Sequence, residues 1–255
     1  MENPGNPFTL INNNYLITGA ASGIGRVTSI VLSAMGANLI LADIDENGLR
    51  VTQEKCKPSD GILVVNLAKQ ELIKDAVLNT VGSFGKLNGF VHLAGRSYIS
   101  PLKSVTAEKS AEIYNLNTYA AIELAKVFTH RHVYAGEKGS IVFISSVYGL
   151  VGSPANVVYA MSKAALHGIT KSLSMELAPK KIRVNCIAPG FVKTPMMGNV
   201  ENMFDDSYTE QLQKLHPLGL GEPGDISNAI AFLLSEGARW ITGSIISVDG
   251  GFTAQ

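Results

Sequence analysis

Tyr159 and Lys163 stand four positions apart in Tyr159-Ala160-Met161-Ser162-Lys163, and Ser146 precedes the tyrosine by thirteen residues. On a helix, positions four apart share a face, so the lysine ammonium can lie beside the phenol and favour its ionised form. A free phenol titrates near ~10, too high for easy proton exchange at neutral pH, and the cation supplies the missing push. Upstream, Thr18-Gly19-Ala20-Ala21-Ser22-Gly23-Ile24-Gly25 follows a short apolar run and opens a helical pattern. In a fold of alternating strands and helices, this is where backbone amides at a helix N-terminus receive a pyrophosphate. Gly19 permits the tight turn, Gly23 lets the backbone approach the phosphates, and Gly25 lets helix and strand pack closely. A purely structural turn gives a similar cluster, and the position after the first strand favours the phosphate reading.

Asp43 ends the second strand, about twenty residues beyond the turn. A carboxylate there accepts hydrogen bonds from adenosine ribose hydroxyls and repels a 2′-phosphate, which selects NAD over NADP. Ala20-Ala21-Ser22 contains no base and Ile44 follows Asp43, so nothing obvious compensates an extra phosphate. Asp45 and Glu46 read as solvated loop acids. A proton-moving tyrosine downstream of a dinucleotide turn points to a hydride-transferring enzyme.

The elements that must position these residues alternate almost from end to end. Strands are expected at Tyr15–Thr18, Asn38–Ala42, Ile62–Val65, Gly89–Leu93, Ile141–Ser145, Arg183–Ile187 and Ser244–Val248. Helices are expected at about Gly23–Met35, Glu46–Lys55, Lys69–Phe84, Ala107–His132, Asn156–Leu177 and Asp225–Ser235. Continuous Val/Ile/Leu runs mark strands buried on both faces, so the expected fold is α/β, a doubly wound parallel sheet of the Rossmann type. Glycines are spread along the chain without an obvious linker, which favours a single domain over residues 1–255. Thr194 to Pro217 breaks the pattern, and such insertions often form lids over a site.

Lysine plus arginine equals aspartate plus glutamate at 21 each, so no global field draws the chain to nucleic acid or an anionic membrane. The N-terminal segment has neither a basic region nor an apolar stretch, so it reads as neither a secretory signal nor a transit peptide. Gly139 to Ser162 carries no charge and is long enough to span a bilayer, but Ser145, Ser146, Gly149, Gly152, Pro154 and Asn156 break it into strand, loop and helix. Cys56 and Cys186 belong to no metal or Cys-x-x-Cys pattern, which fits a reducing, cytoplasmic setting. His130, His132, His167 and His216 lack metal-ligand spacing, and His130 and His132 would not share a helical face, so no metal is expected. His92, at the end of a buried apolar strand, reads as a satisfied structural group.

These motifs together resemble the short-chain dehydrogenase/reductase family over nearly the whole chain. The family's Thr-Gly-x-x-x-Gly-x-Gly turn is matched by Thr18, Gly19, Gly23 and Gly25, and its Tyr-x-x-x-Lys by Tyr159 and Lys163. Its serine maps on Ser146 and its helix asparagine on Asn117, with Asn115 the competing choice. Asn185 through Pro189-Gly190, Thr194, and Val248-Asp249-Gly250-Gly251 match further. The resemblance implies catalysis by Asn117, Ser146, Tyr159 and Lys163. It also implies NAD contacts from Gly19, Ser22, Gly23, Ile24, Gly25, Asp43, Asn66, Leu67, Ala94, Gly95, Tyr159, Lys163, Pro189, Gly190, Val192 and Thr194.

Two positions depart from the family pattern. His92-Leu93-Ala94-Gly95 replaces Asn-Asn-Ala-Gly, so the asparagine contacts between central strands must be replaced. Asn66 stands where an aspartate usually meets the adenine amine, and its oxygen can accept that bond without charge. By comparison with the family, Tyr98, Ile99, Val151, Ser153 and 196–204 are expected to line the substrate pocket. A hydroxysteroid, a 3-oxoacyl thioester, a sugar and a small secondary alcohol all remain open. Two alternatives are carried: an NADPH-dependent 3-oxoacyl-(acyl-carrier-protein) reductase, which Asp43 opposes, and a noncatalytic NAD-binding regulator, which would not require four catalytic residues. Family members commonly form homotetramers. Ala120, Ala121, Ala164, Ala165 and Leu166 on the two long helices would build one interface, and the last strand with Gly250–Gln255 the other.

Overall fold

The computed structural model describes residues 6–196 and 212–254. Its strands are β1 (Asn14–Thr18), β2 (Asn38–Asp43), β3 (Gly61–Val64), β4 (Gly89–His92), β5 (Gly139–Ile144), β6 (Ile182–Pro189) and β7 (Ile245–Val248). They form one seven-stranded parallel sheet in the order β3-β2-β1-β4-β5-β6-β7. Helices α1 (Gly23–Ala34), α2 (Glu46–Gln53), α3 (Gln70–Phe84), α4 (Ala107–Tyr114), α5 (Ala120–Phe128), α6 (Val157–Leu177) and α7 (Pro223–Leu234) connect them. This is the expected doubly wound fold.

Strand alternation divides the apolar side chains between two cores. In β1, Leu16 joins one core and Ile17 the other; in β5, Ile141 and Phe143 face one and Val142 and Ile144 the other. The first core packs against α3, α5 and α6, with Phe128 edge-on to Phe90 at 5.6 Å between ring centroids. The second packs against α1 and α7 through Leu32 and Ile230. Each such fully buried side chain contributes roughly 1.5–3 kcal/mol. The chain runs outward from β1 to β3, then returns to β4 on the other side of β1. The carboxyl ends of β1 and β4 therefore meet in register at Thr18 and His92, the crevice where this topology receives a ligand.

Three expectations need correction. The helix expected over Ala107–His132 is broken by a π-helical turn at Asn115–Tyr119 and ends at Phe128. The turn is pinned from outside, because Asn117 bonds to the backbone of Arg96 and to Ser162. His130 and His132 consequently lie beyond the helix, their rings 5.3 Å apart, so helical facing does not separate them. Finally, Ala120, Ala121 and Leu166 are 0 % exposed and belong to the chain's own core rather than to a surplus apolar face. Ala164 does lie on the outward side of α6, together with Val157, Met161 and Met175. Among the described residues, no helix is long and apolar enough to cross a membrane.

Candidate active site

The glycine turn is built by close approach. Gly19 has φ +71°, and a Cβ there would lie 2.8 Å from the Ala94 amide nitrogen. A Cβ on Gly25 would overlap the Gly19 carbonyl oxygen. Ser22 caps α1 in extended geometry without a side-chain hydrogen bond, so the first amides of the helix remain available to an anion. At the end of β2, the Asp43 carboxylate accepts from the amides of Ala21 (3.2 Å), Ile44 (2.7 Å) and Asp45 (3.2 Å). The guanidinium of Arg26, on α1, is engaged by Thr52 Oγ1 at 3.1 Å and by the Ala21 and Gly48 carbonyls. Gly19, Ser22, Gly23, Ile24, Gly25, Asp43, Asn66, Leu67, Ala94, Gly95 and Thr194 line a single groove of about 710 Å³. Asn66 Oδ1 accepts from the Ala68 amide at 3.0 Å and retains a second lone pair.

A second cavity of about 390 Å³ shares Ile24, Leu93, Gly95, Arg96, Ile144, Thr194 and Met196 with the groove. Ser146, Tyr159 and Lys163 stand on its wall, as do Pro189, Gly190 and Val192. Ser146 Oγ accepts from the Tyr148 amide at 3.2 Å, which leaves its hydroxyl proton to donate elsewhere. Lys163, 5 % exposed, donates from Nζ to the Ile144 carbonyl at 2.8 Å and lies 5.9 Å from the Tyr159 ring centroid. Burial lowers its pKa to about 8. Burial also raises the Tyr159 phenol above 10, with the Ser146 hydroxyl acting against that rise. Lys163 is not among the groups that shift it.

Asn117, rather than Asn115, reaches this group. It is fully buried, accepts from Arg96 N at 2.9 Å, and donates to Arg96 O and to Ser162 Oγ, each at 3.0 Å. A Cβ on Gly95 would sit 3.1 Å from Asn117 Oδ1 and 3.3 Å from Lys163 Nζ, so these two groups meet over that glycine. Of the expected pocket positions, Ile99, Ser153 and Met196 line the cavity, whereas Tyr98 and Val151 do not. Residues 197–204 lie outside the described residues, as does most of the expected lid. The sequence reading missed Arg96, Tyr148, Asn156 and Phe191, all of which line the cavity. Tyr148 and Phe191 pack edge to face at 5.7 Å. Their signal was adjacency: one is two residues past Ser146 and the other directly follows Pro189-Gly190.

His92 is 1 % exposed and lies 3.0 Å from Thr18 Oγ1 through Nδ1, but its Nε2 has no hydrogen-bond partner, so the ring is only half satisfied. Burial followed by the charge of Lys163 pulls its pKa down to about 3. Cys56 and Cys186 are free thiols, raised by burial to about 11 and about 12, which makes them poor nucleophiles. No group of three or more His, Cys, Asp or Glu among the described residues is arranged to hold a metal.

A protein-family model described as enoyl-(acyl carrier protein) reductase matches residues 19–253. The chain is 34 % identical to a 3-oxoacyl-(acyl-carrier-protein) reductase of Thermotoga maritima over 240 residues, covering 92 % of this chain and 96 % of that protein. It is also 34 % identical to a 2,5-dichloro-2,5-cyclohexadiene-1,4-diol dehydrogenase of Sphingobium indicum over 248 residues, 96 % of this chain and 98 % of the other. Among solved structures, a 4-hydroxyisoleucine dehydrogenase complexed with NADH superposes with a TM-score of 0.88 at 29 % identity, covering 96 % of this chain and 100 % of that one.

Proposed function

Because the chain belongs to the short-chain dehydrogenase/reductase family, we propose that it moves a hydride between NAD(H) and a small ketone or secondary alcohol, with Tyr159 as general acid and base. The observation that carries this reading is the shared wall of the two cavities. The nucleotide groove opens directly onto the pocket where Ser146, Tyr159 and Lys163 converge.

The residues fit a dinucleotide, since the glycine turn leaves no room for Cβ atoms at Gly19 and Gly25 and α1 presents uncapped amides. Asp43 and Asn66 would hold the adenosine end, and Lys163 with Thr194 the nicotinamide end. When bound, the nicotinamide ring supplies or accepts the hydride. In reduction, Tyr159 gives its proton to the developing alkoxide, and Ser146 donates a hydrogen bond to the same oxygen. Asn117 holds the path by which the proton is resupplied. Oxidation runs these proton movements in reverse.

Asp43 and the engaged guanidinium of Arg26 support NAD over NADP, which also weighs against the NADPH-dependent acyl reductase reading. The pocket favours a modest, weakly polar substrate: among the described lining residues only Arg96 and Lys163 carry charge. We place this activity in one catalytic unit, in a cytoplasm reducing enough to keep Cys56 and Cys186 as thiols.

The test is absorbance at the NADH band with a panel of ketones and alcohols, comparing kcat/KM for NADH and NADPH. A preference for NADH is expected, and Asp43→Ala with Ile44→Arg should move it toward NADPH by about tenfold or more. A native preference for NADPH would overturn the cofactor assignment.

A further inference from the structure

Asn156 directly precedes α6 and stands three residues before Tyr159. An asparagine at this position of a helix ordinarily turns its side-chain oxygen onto an amide of the first turn. Here it makes no such bond. Instead Nδ2 donates to the Pro154 carbonyl at 3.0 Å and to Ser153 Oγ at 3.2 Å, which spends both of its protons. A carbonyl can only accept, so Nδ2 is the atom that faces Pro154 and Oδ1 is turned away from it.

Among the described residues nothing donates to that oxygen, and His92 Nε2 is the one side-chain polar atom that is both fully enclosed and without a partner. Oδ1 therefore keeps open surface. Asn156 is 7 % exposed and lines the cavity of about 390 Å³, so the surface it keeps opens into that cavity. Ser153, on the same wall, supplies the complement. Its Oγ accepts from Asn156, while its own proton meets the Pro154 carbonyl only at 3.5 Å, the weak limit of a hydrogen bond. That proton can turn to a ligand without giving up a strong bond. The wall itself is fixed, because Ala155 adopts φ 59°, uncommon outside glycine, and its carbonyl accepts from the Ser100 amide at 2.8 Å.

A bare acceptor and a loosely held donor thus stand side by side in a mainly apolar pocket, the arrangement that orients a ligand. A hydroxyl satisfies both. A carboxylate has no proton for Oδ1, an ammonium has no lone pair for the serine, and a methyl leaves both unpaired. We propose that Asn156 and Ser153 form a subsite for a second hydroxyl, so that the substrate is a diol or the matching hydroxy ketone rather than a simple alcohol. The inference rests on the proposed hydride transfer at Tyr159 and names the class of molecule it acts on. In oxidation one carbinol carbon gives a hydride to NAD and its hydroxyl gives up a proton, leaving a hydroxy ketone, NADH and one proton. The second hydroxyl is unchanged.

Matched pairs test this on the intact chain with NAD: cyclohexane-1,2-diol against cyclohexanol, and butane-2,3-diol against butan-2-ol. In at least one pair the diol should show kcat/KM about tenfold or more above the simple alcohol, most of it in KM. No advantage in either pair overturns the proposal. Asn156→Leu, which keeps volume and removes the oxygen, should shrink that ratio about fivefold or more, and so should Ser153→Ala. The serine variant removes one hydroxyl from a half-buried loop, so it decides the matter if Asn156→Leu does not fold. An unchanged ratio in either folded variant overturns the proposal. Saturation-transfer NMR of the same pairs, which needs no turnover, should show the diol bound more tightly, with the margin lost in Ser153→Ala; no margin in the wild type counts against the subsite equally. Should the chain turn over no carbonyl or alcohol, the oxidoreductase reading fails, while the binding margin still decides whether the hydroxyl subsite exists.

Discussion

A phenol is protonated at neutral pH, the state a proton donor to a developing alkoxide must have, and burial shifts Tyr159 further in that direction. Lys163, displaced toward about 8 by the same burial, is still mainly cationic there, with one of its three protons given to the Ile144 carbonyl. Replacing Tyr159 by Phe removes one hydroxyl and little volume. Turnover should fall by at least ~10² while the melting temperature and NADH affinity stay near native, measured by single-wavelength kinetics and fluorescence titration. His92 yields a second prediction, in acid. Its folded pKa of about 3 lies below the ordinary 6.5, so as pH falls through that interval the unfolded chain takes up a proton that the folded chain refuses. This contribution is fully present above 6.5 and is lost as pH drops toward 3. Between neutral pH and pH 4, wild type should lose roughly 3 kcal/mol more stability than His92→Gln in urea titrations, at about 1.36 kcal/mol per unit.

The elements were legible where burial is simple. β5 reads Gly-Ser-Ile-Val-Phe-Ile and is buried at every position, so its apolar run announced a central parallel strand. The glycine turn and the Tyr159–Lys163 spacing were equally open, because each is a local pattern. The π turn was not, since one extra residue scarcely alters a helical periodicity and its cause, the bonds of Asn117 to Arg96 and Ser162, lies far along the chain. Tyr98 and Val151 were misplaced for a related reason: which loop residues face a cavity depends on loop conformation, and periodicity says nothing about that. The tight contact between α1 and β1 gives a prediction at this scale. Gly25→Ala would drive a methyl into the Gly19 carbonyl oxygen, which flexible side chains cannot relieve. A loss of about 1–3 kcal/mol is expected in urea unfolding, with NADH affinity falling further than that of a surface control such as Gly82→Ala, whose Cβ meets nothing.

At the scale of the whole molecule, α6 presents Val157, Met161 and Met175 to solvent at 52 %, 47 % and 78 %, on positions four or more apart along one side. A stripe of this kind is better covered, and we expect a homotetramer whose first contact pairs this helix with its symmetry mate and whose second runs along β7 and the C-terminal residues. Light scattering should give four times the 27.1 kDa chain mass, and Met161→Glu with Met175→Glu should halve it. A monomeric mass for the unaltered chain would remove both contacts. The sheet order also bears on how the molecule is made. β1 is synthesised first but occupies an inner position, and its second edge pairs with β4, whose His92 lies 74 residues beyond Thr18. At typical elongation rates that edge stays open for roughly 4 to 15 s, a row of bare amides and carbonyls between apolar faces. The nascent chain therefore carries an unpaired inner edge before any of the residues proposed for catalysis has been synthesised.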